Sequence, residues 1–320
     1  MDDALSSLLH DVRPRGALFD QTVMRSPWSL RFEEGEPLTL LTLLSGEEAW
    51  VTPDGGAPVA LRPFDVALVV GPAPYTVADR PGTAPMAVVH ADDRCTTPDG
   101  RLILDDELPW CTPGRGPVPG GVSGGAAVAL KGTYRVHGSV SQRVLTALPP
   151  LVHCPATPEG CPPLDMIVDE LGRNSPGGQV VLDRLLDLLL VSVLREWFDS
   201  PGAHAPAWYR AHSDPVVGTA LRLVHEDPAR PWTVASLAAE TGTSRARFAQ
   251  RFTELVGQPP MAYLTEWRIC QAADLLATTT DTVDAVARRV GYSTSYALSV
   301  AFKRTMGIRP TEHRALARAV

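Results

Sequence analysis

The sequence predicts an α+β multidomain protein, with an N-terminal β-barrel followed by helices and a C-terminal all-α domain. Three observations predict this fold. Short apolar runs separated by turn residues fill much of the first half of the 320-residue chain. An apolar stretch with helical spacing covers residues 178–198. Beyond residue 214, a helical pattern occurs twice at a fixed offset. We therefore expect one domain at 1–200, a linker at 201–214 and a second domain at 215–320.

The barrel prediction rests on five runs of strand length: LTLLTLLSG (38–46), EAWVT (48–52), PVALR (58–62), DVALVVG (65–71) and MAVVHA (86–91). They are separated by PDGG, RPFD and GPAP, which are residue combinations typical of turns. Short strands at regular spacing favour a small all-β barrel or sandwich.

The run GQVVLDRLLDLLLVSVLREWF (178–198) predicts a long helix that is apolar around most of its circumference. Such a helix has to be covered on two sides. The barrel of the same chain can cover one side. The other side can be covered either by the same chain or by the same helix of a second copy, which would make the protein a homodimer.

The C-terminal domain contains an internal repeat. LAAETGTSRARFAQRFTELVGQPP (237–260) and VARRVGYSTSYALSVAFKRTMGIRP (286–310) share one layout, and the offset between equivalent Phe or Leu, Gly and Pro positions is 50 residues. Each copy predicts a short helix, a turn at glycine and a second helix that begins at a Ser or Thr cap. We expect two helix-turn-helix units at about 232–257 and 282–307, joined by one helix at 261–278.

The second helix of each unit has the two faces expected of a helix that reads DNA. Phe248, Phe252 and Leu255 follow helical spacing and predict the core face of the first one. The opposite faces carry small, polar and basic side chains, which suit a major groove and its flanking phosphates. Together with the units themselves, a connecting helix of about 25 Å could place the two second helices near successive turns of the major groove, about 34 Å apart. The predicted DNA contacts are Arg245, Ala246, Arg247, Ala249, Gln250, Arg251, Ser295, Tyr296, Ser299, Val300, Lys303 and Arg304.

The charge of the chain is distributed unevenly. The formal net charge is -7, but residues 215–320 contain 13 Lys and Arg against 9 Asp and Glu. A basic C-terminal domain is compatible with nucleic-acid binding. No uninterrupted apolar run reaches the roughly 18 residues of a membrane span, and the N-terminus has no signal-peptide pattern. We therefore expect a cytoplasmic protein with no membrane partner.

Two sets of motifs resemble a known family. RFTELVGQPPMAYLTEWRICQAADLL followed by VARRVGYSTSYALSVAFKRTMGIRPTEHR resembles the C-terminal domain of the AraC/XylS family of transcription regulators, over about residues 215–315. SPWSLRF, GEEAWVT, RPFDVALV and GTYRVHGSVSQRVLTALPPLVH resemble, more diffusely, the cupin-type sensor domain of one branch of that family. The resemblance implies a cupin-like barrel that binds a small-molecule effector and a dimer-forming helix at 178–198. It also implies double-stranded promoter DNA and RNA polymerase as partners.

One position departs from the family pattern. Where the second recognition helix of the family commonly has Arg, this chain has Val300. An Arg side chain can donate two hydrogen bonds to guanine, whereas Val can only contact a thymine methyl group. We therefore expect the first unit to supply most of the base discrimination.

The expected effector site is a cavity lined by aromatic and a few polar side chains. The candidates are Trp28, Arg31, Trp50 and His90. No cofactor is expected, because a catalytic cupin metal site needs His and Glu from central strands and residues 38–56 contain Glu but no His.

The cysteines support an alternative. Cys95, Cys111, Cys154 and Cys161 lie in polar, Pro/Gly-rich sequence of the first domain, so they could bind Zn²⁺ or act as a redox or electrophile sensor. Their spacing does not match that of Cys-x2-Cys zinc knuckles. A third alternative, from another class, is an enzyme or thiol acceptor targeted to DNA. No paired carboxylates, Ser/His/Asp set or phosphate-binding loop of motif quality is present, so we expect no enzyme.

Overall fold

The computed structural model describes residues 12–14, 22–33, 36–90, 94–104, 126–136, 138–158, 160–173, 176–200 and 205–318. The chain divides into two compact units. The barrel unit contains the described residues of 13–136 and 148–203, and the helical unit contains Val12 and the described residues of 137–147 and 204–320. Residues 138–147, predicted to be in the first domain, are thus grouped with the C-terminal helices.

The described strands of the barrel unit form two sheets. They are β1 (Val12–Pro14), β2 (Thr22–Arg25), β3 (Ser29–Phe32), β4 (Leu38–Ser45), β5 (Ala49–Pro53), β6 (Val59–Leu61), β7 (Val66–Val70), β8 (Tyr75–Ala78), β9 (Ala87–Val89), β10 (Cys95–Thr96), β11 (Leu102–Ile103), β12 (Ala126–Val136) and β13 (Leu151–Cys154). The first sheet has the order β1-β12-β4-β7-β13, with β2 also paired to β12. The second has the order β11-β10-β9-β3-β8-β5-β6, in which β3 and β9 are parallel. All five predicted runs form strands, as β4, β5, β6, β7 and β9.

The described helices include the long helix, the connecting helix and the four helices of the two repeated units that the sequence predicts. They are α1 (Ser139–Leu145), α2 (Pro162–Arg173), α3 (Gly178–Asp199), α4 (Ala207–Arg210), α5 (Val217–Glu226), α6 (Val234–Glu240), α7 (Arg245–Val256), α8 (Pro260–Thr278), α9 (Val283–Arg289), α10 (Ser295–Met306) and α11 (Pro310–Ala317). None of the helices in the described part of the chain has the length and apolar character needed to span a membrane.

The interior of the barrel is formed by alternating side chains of the two sheets. Phe32 and Tyr75 of the second sheet and Leu41 of the first belong to one buried apolar cluster. β4 is buried on both faces. One face lines the interior of the barrel, and the other, like the outer face of β12, lies toward α3. On that side the Tyr134 hydroxyl donates a hydrogen bond to the Leu186 carbonyl oxygen at 2.9 Å.

A glycine lets β12 and α3 approach each other closely. A Cβ atom at Gly132 would lie 3.1 Å from Leu186 Cδ2. α3 confirms the helix predicted at 178–198, and its inner residues are buried. Its outer face is apolar and exposed at Val180, Val181 and Leu188, whose relative exposures are 63%, 44% and 48%.

The helical unit begins inside the predicted linker. α4 and a 3₁₀ turn at Ala211–Ser213 occupy part of 201–214, and Trp208 of α4 is buried. Trp208 therefore anchors this segment in the helical unit. The sequence predicted a linker here because Pro, Gly and Ala residues surround Trp208.

α1 packs along α8 through polar side chains. The backbone N–H of Ser139 donates to Asp274 Oδ1 at 2.5 Å. Arg143 lies 3.7 Å from Glu266 and places its guanidinium over the Tyr263 ring, 5.4 Å from the centroid. The short helix between β12 and β13 is therefore attached to the long helix that joins the two repeated units.

Candidate nucleic-acid interface

The two second helices of the repeat begin and end as the sequence predicts. The Ser244 hydroxyl accepts a hydrogen bond from the Arg247 backbone N–H, and the Thr294 hydroxyl accepts one from that of Ala297. Gly257 caps the C-terminus of α7 and Gly307 that of α10, with φ of 81° and 77°. Side-chain caps satisfy otherwise unpaired N–H groups at each start, and glycine adopts the left-handed conformation at each end.

The buried side of α7 differs from the prediction at one position. Phe248, Phe252 and Val256 are buried, whereas Leu255 is 37% exposed. The prediction that Leu255 belongs to the core is therefore wrong. The buried row follows i, i+4, i+8, which drifts around the helix by about 40° per step, and this drift leaves Leu255 at its edge in the last turn.

The opposite sides of α7 and α10 are open to solvent. On α7 the exposed members of the predicted contact set are Arg245, Ala246, Arg247 and Gln250, and the half-buried members are Ala249 and Arg251. On α10 the exposed members are Tyr296, Val300, Lys303 and Arg304, and the half-buried ones are Ser295 and Ser299. All twelve predicted DNA contacts thus lie on accessible or partly accessible helix surface.

Two of the predicted contacts on α7 have partners within the protein. Arg251 Nε lies 2.9 Å from Asp214 Oδ2, and Arg251 also forms a hydrogen bond to that carboxylate through Nη2. The hydrogen bonds from Arg251 lead the effects that lower the pKa of Asp214. Gln250 Nε2 donates to Glu254 Oε1 at 2.8 Å. Binding of DNA by Arg251 would compete with an ion pair, and binding by Gln250 with a single exposed hydrogen bond.

A groove of about 700 Å³ runs along the exposed side of α10. Five predicted contacts line it, together with residues of the neighbouring helices: Val283, Tyr296, Ser299, Val300, Lys303, Arg304, Arg309, Pro310 and Thr311. Sequence reasoning missed Arg309. The signal available was its place directly before Pro310, because Pro at the first position of a helix predicts that the preceding residue flanks a helix N-terminus.

α8 holds both units in one helical body. In the first unit Phe252 packs edge-on against Tyr263 of α8, with ring centroids 5.9 Å apart. The Tyr263 hydroxyl also lies 2.8 Å from Nε2 of the buried His225. In the second unit Leu298 and Phe302 pack with Ile269, in one buried cluster. The prediction of one connecting helix is confirmed, since α8 spans Pro260–Thr278.

Comparisons with known proteins agree with this geometry. A model described as Cupin matches residues 3–199, and one described as Helix-turn-helix domain matches residues 237–315. The chain is 31% identical over 319 residues to a protein described as an AraC-like transcription regulator in Streptomyces lividans, with 98% of each chain covered. A protein of the same description from Streptomyces antibioticus is 30% identical over 316 residues, again with 98% of each chain covered. This chain belongs to the family of AraC-like transcription regulators.

A third relative of this AraC-like regulator carries a more specific name. The RCS-specific HTH-type transcriptional activator RclR of Escherichia coli (strain K12) is 26% identical over 320 residues, covering 98% of this chain and 97% of the relative. The predicted family and fold class are confirmed: a cupin-type N-terminal domain and a C-terminal helix-turn-helix domain that binds DNA.

In this AraC-like regulator the four candidate effector contacts do not share one face of the barrel. Trp28 is buried in the interior cluster. Arg31 and Trp50 alternate with interior residues along β3 and β5, so they lie on the outer face of the second sheet. There Arg31 forms a paired hydrogen bond with Asp54, at 2.5 and 2.7 Å. His90 Nε2 lies 3.0 Å from the Thr96 hydroxyl.

The described cysteines of the barrel unit do not form one cluster, although Cys154 and Cys161 lie close enough for the charge of one to act on the other. Cys95 lies on β10 and Cys154 on β13, which belong to different sheets; Cys161 precedes α2, and Cys111 lies outside the described residues. Burial raises the pKa of Cys154 to about 12, and burial also raises the pKa of Cys161. Within the described ranges, no three or more His, Cys, Asp or Glu side chains form a group that could hold a metal ion.

Proposed function

We propose that this regulator binds double-stranded promoter DNA with α7 and α10 in successive turns of the major groove, and that an effector in the barrel controls this binding. The observation that carries the proposal is the duplicated helix with one buried and one open face. On the open faces, Arg247 and Lys303 supply positive charge for phosphates. The whole chain is acidic, so attraction to DNA must come from this local surface and not from net charge.

The two helices differ in the chemistry that they offer to bases. Gln250 of α7 carries an amide that can form two hydrogen bonds with adenine. Its hydrogen bond to Glu254 is exposed and therefore weak in competition with water and DNA. On α10, Tyr296 and Val300 are 78% and 52% exposed and offer mainly apolar contact. We propose that α7 discriminates bases by hydrogen bonding and that α10 contributes contact with thymine methyl groups.

The oligomeric part of the proposal rests on α3. Val180, Val181 and Leu188 are exposed on a helix whose other side is buried, and they form an apolar stripe that is interrupted by the exposed Arg184. Burying such a stripe against the same helix of a second copy removes apolar surface from water in both copies. We propose a homodimer through α3 that acts in the cytoplasm. RNA polymerase is the proposed further partner, and the proposal includes no enzymatic activity.

DNA binding can be tested by fluorescence anisotropy with the full-length protein and the DNA upstream of its own gene. The affinity should exceed that for a scrambled duplex and should fall steeply between about 50 and about 200 mM salt. Arg247→Ala should reduce the salt slope by about 1, whereas Arg173→Ala, on the exposed surface of α2, should not. Gln250→Ala should reduce sequence preference. Equal affinity for both duplexes under all conditions would refute the proposal, and loss of preference in Tyr296→Ala but not in Gln250→Ala would refute the division between the helices.

Dimerisation can be tested by sedimentation equilibrium. Leu188→Glu places a charge in the apolar stripe and should weaken the dimer at least tenfold. Gln179→Glu adds the same charge to an exposed position of the same helix and should leave the dimer intact. A wild-type protein that stays monomeric at every concentration would exclude the α3 dimer.

A thiol switch is a second candidate function, because Cys154 and Cys161 lie close enough for the charge of one to act on the other. Repeating the anisotropy titration with dithiothreitol, and separately with a chelator, distinguishes the two candidates. An unchanged affinity supports a small-molecule effector. A change with dithiothreitol alone supports a disulfide, and a change with the chelator alone supports Zn²⁺.

A further inference from the structure

A basic side chain faces the interior of the barrel. Lys131 of β12 is paired across the sheet with Leu41 of β4, and directly paired residues lie on the same face. Leu41 belongs to the interior cluster, so Lys131 also faces inward. Its Nζ lies 5.1 Å from the centroid of the Phe32 ring on the opposite sheet. The ammonium group therefore reaches across the space between the two sheets.

Hydroxyl groups lie on the same inner surface as this lysine. Thr133 lies two residues further along the same face of β12 and is paired with Thr39. The side chain of Thr39 is in hydrogen-bonding contact with the buried Tyr75 hydroxyl, and the Tyr75 ring stacks on Phe32 at 4.6 Å. Lys131 and Thr133 are only partly buried, so this end of the interior is accessible. A cation, two threonine hydroxyls and the stacked Phe32 and Tyr75 rings thus lie on the inner faces of the two sheets.

Lys131 forms no ion pair with an acidic side chain in the part of the chain that the structure describes. Among the described residues, the contact with the Phe32 ring is its one charge-related interaction. A half-buried ammonium gains much more from a carboxylate than from a ring face alone. The basic residues elsewhere on the barrel behave differently; Arg31, for example, is neutralised by Asp54 and Glu33 on the outer face.

From this arrangement we infer that the barrel binds a small organic anion at Lys131. The acid group of the ligand contacts the ammonium and the hydroxyls of Thr39 and Thr133, and its apolar body lies against Phe32 and the interior cluster. The inference rests on the proposed function, since it identifies the chemical class of the effector. It replaces the dispersed set of Trp28, Arg31, Trp50 and His90 with one continuous inner surface.

Isothermal titration calorimetry of the full-length protein tests the site without DNA. The probes are hexanoate, benzoate and 1-naphthoate, each compared with its neutral amide. At least one acid should bind at least tenfold more tightly than its amide, because the amide has the same shape but no charge. This comparison needs only the wild-type protein. If no acid binds, or if every amide binds as tightly as its acid, the inference is overturned.

The sequence offers a matched pair of variants, because Lys131 and Lys303 are the only lysines of the chain. Lys131→Met should reduce acid affinity at least tenfold, while Lys303→Met, in the helical unit, should leave it unchanged. Glu36 lies close enough to influence the Tyr75 hydroxyl, so Glu36→Gln should strengthen acid binding by removing a nearby negative charge. Unchanged acid binding in a folded Lys131→Met protein would overturn the inference, with the fold checked by circular dichroism.

The outcomes separate this inference from the proposed function. Acid binding that does not alter DNA affinity would leave the anion site in place and refute effector control. Salt-dependent, sequence-selective DNA binding without any acid binding would support the regulator and refute the site. Lys131→Met should retain the DNA affinity of the ligand-free protein.

Discussion

The duplicated units place glycine at equivalent turns, but the two glycines have different surroundings, and this difference predicts unequal effects of the same substitution. Gly242 has φ of 65° with no atom within 4 Å of a Cβ placed on it. Gly291 has φ of 84°, and its Cβ would lie 2.7 Å from Arg268 Nη2 and 2.8 Å from the Ala229 carbonyl oxygen. Gly291→Ala therefore adds a steric conflict that Gly242→Ala does not.

The magnitudes follow from these contacts. An alanine in the left-handed region costs about 1–2 kcal/mol at either position. Overpacking adds about 1–3 kcal/mol at Gly291, because neither neighbour can move freely. The Ala229 oxygen is part of the backbone, and Arg268 is held by hydrogen bonds to the carbonyl oxygens of Pro228 and Arg230, at 2.7 and 2.8 Å. We expect losses of about 1–2 kcal/mol for Gly242→Ala and about 2–5 kcal/mol for Gly291→Ala.

The assay is hydrogen exchange followed by mass spectrometry across a urea series, because it reports the opening free energy of each helix separately. Peptides from α7 report on the first substitution and peptides from α10 on the second. Gly291→Ala should also weaken DNA binding more than Gly242→Ala, since only its added methyl group collides with neighbouring atoms and displaces the turn that precedes the recognition helix. Equal losses in both variants, or a larger loss in Gly242→Ala, would refute the argument.

Three further predictions concern the core, an acidic group and a thiol. Phe252→Ala should reduce the free energy of unfolding by about 3–5 kcal/mol in chemical denaturation, whereas Leu255→Ala should change it by less than about 1 kcal/mol; similar effects would contradict the burial difference. Burial alone would raise the pKa of Asp65, but hydrogen bonds from the Ala156 and Arg62 backbone and from His153 lower it overall. The stability from this carboxylate is present above its unfolded pKa of about 4 and is lost as pH falls through the lower folded value. The free energy of unfolding, measured by urea denaturation from neutral pH to about 3, should therefore fall more steeply in wild type than in Asp65→Asn. Parallel pH dependences in the two proteins would contradict this. Because its pKa is raised, Cys154 should react with iodoacetamide at least about 100-fold more slowly than an ordinary thiol at neutral pH. Rapid labelling of the native protein would show that the Cys154 thiol is not kept buried.

The helical unit could be predicted well from sequence because its signals are local. Each second helix has a hydroxyl cap at its start, a glycine at its end and a proline that begins the next helix, all within about 20 residues. Leu255 shows where local signals stop. Its spacing from Phe248 fits the core face. The row of buried residues runs obliquely across α7, however, so that Val256 is buried and Leu255 is exposed.

The barrel could be predicted in outline but not in its contacts. Five strands were recognisable from apolar runs and turns, whereas the long strand β12 was not recognised as such. Alternation along β3 places Arg31 and Phe32 on opposite faces, but nothing local indicates that Asp54 lies beside Arg31. Lys131 gave no local signal, because its significance depends on Phe32, almost 100 residues earlier in the sequence, reaching it from the opposite sheet.

The position of α1 has a consequence for how the protein is made. The backbone N–H of Ser139 is bonded to the Asp274 side chain 135 residues later in the chain, and residues of the barrel unit are synthesised between them. At about 5–20 residues per second, α1 leaves the ribosome roughly 7–27 seconds before its partner helix exists. Seven residues form no stable helix alone. α1 therefore stays without its partner helix until α8 has been synthesised. A DNA-binding fragment that starts at residue 205 would lack this helix permanently, and its α8 would present Glu266 and Asp274 to water.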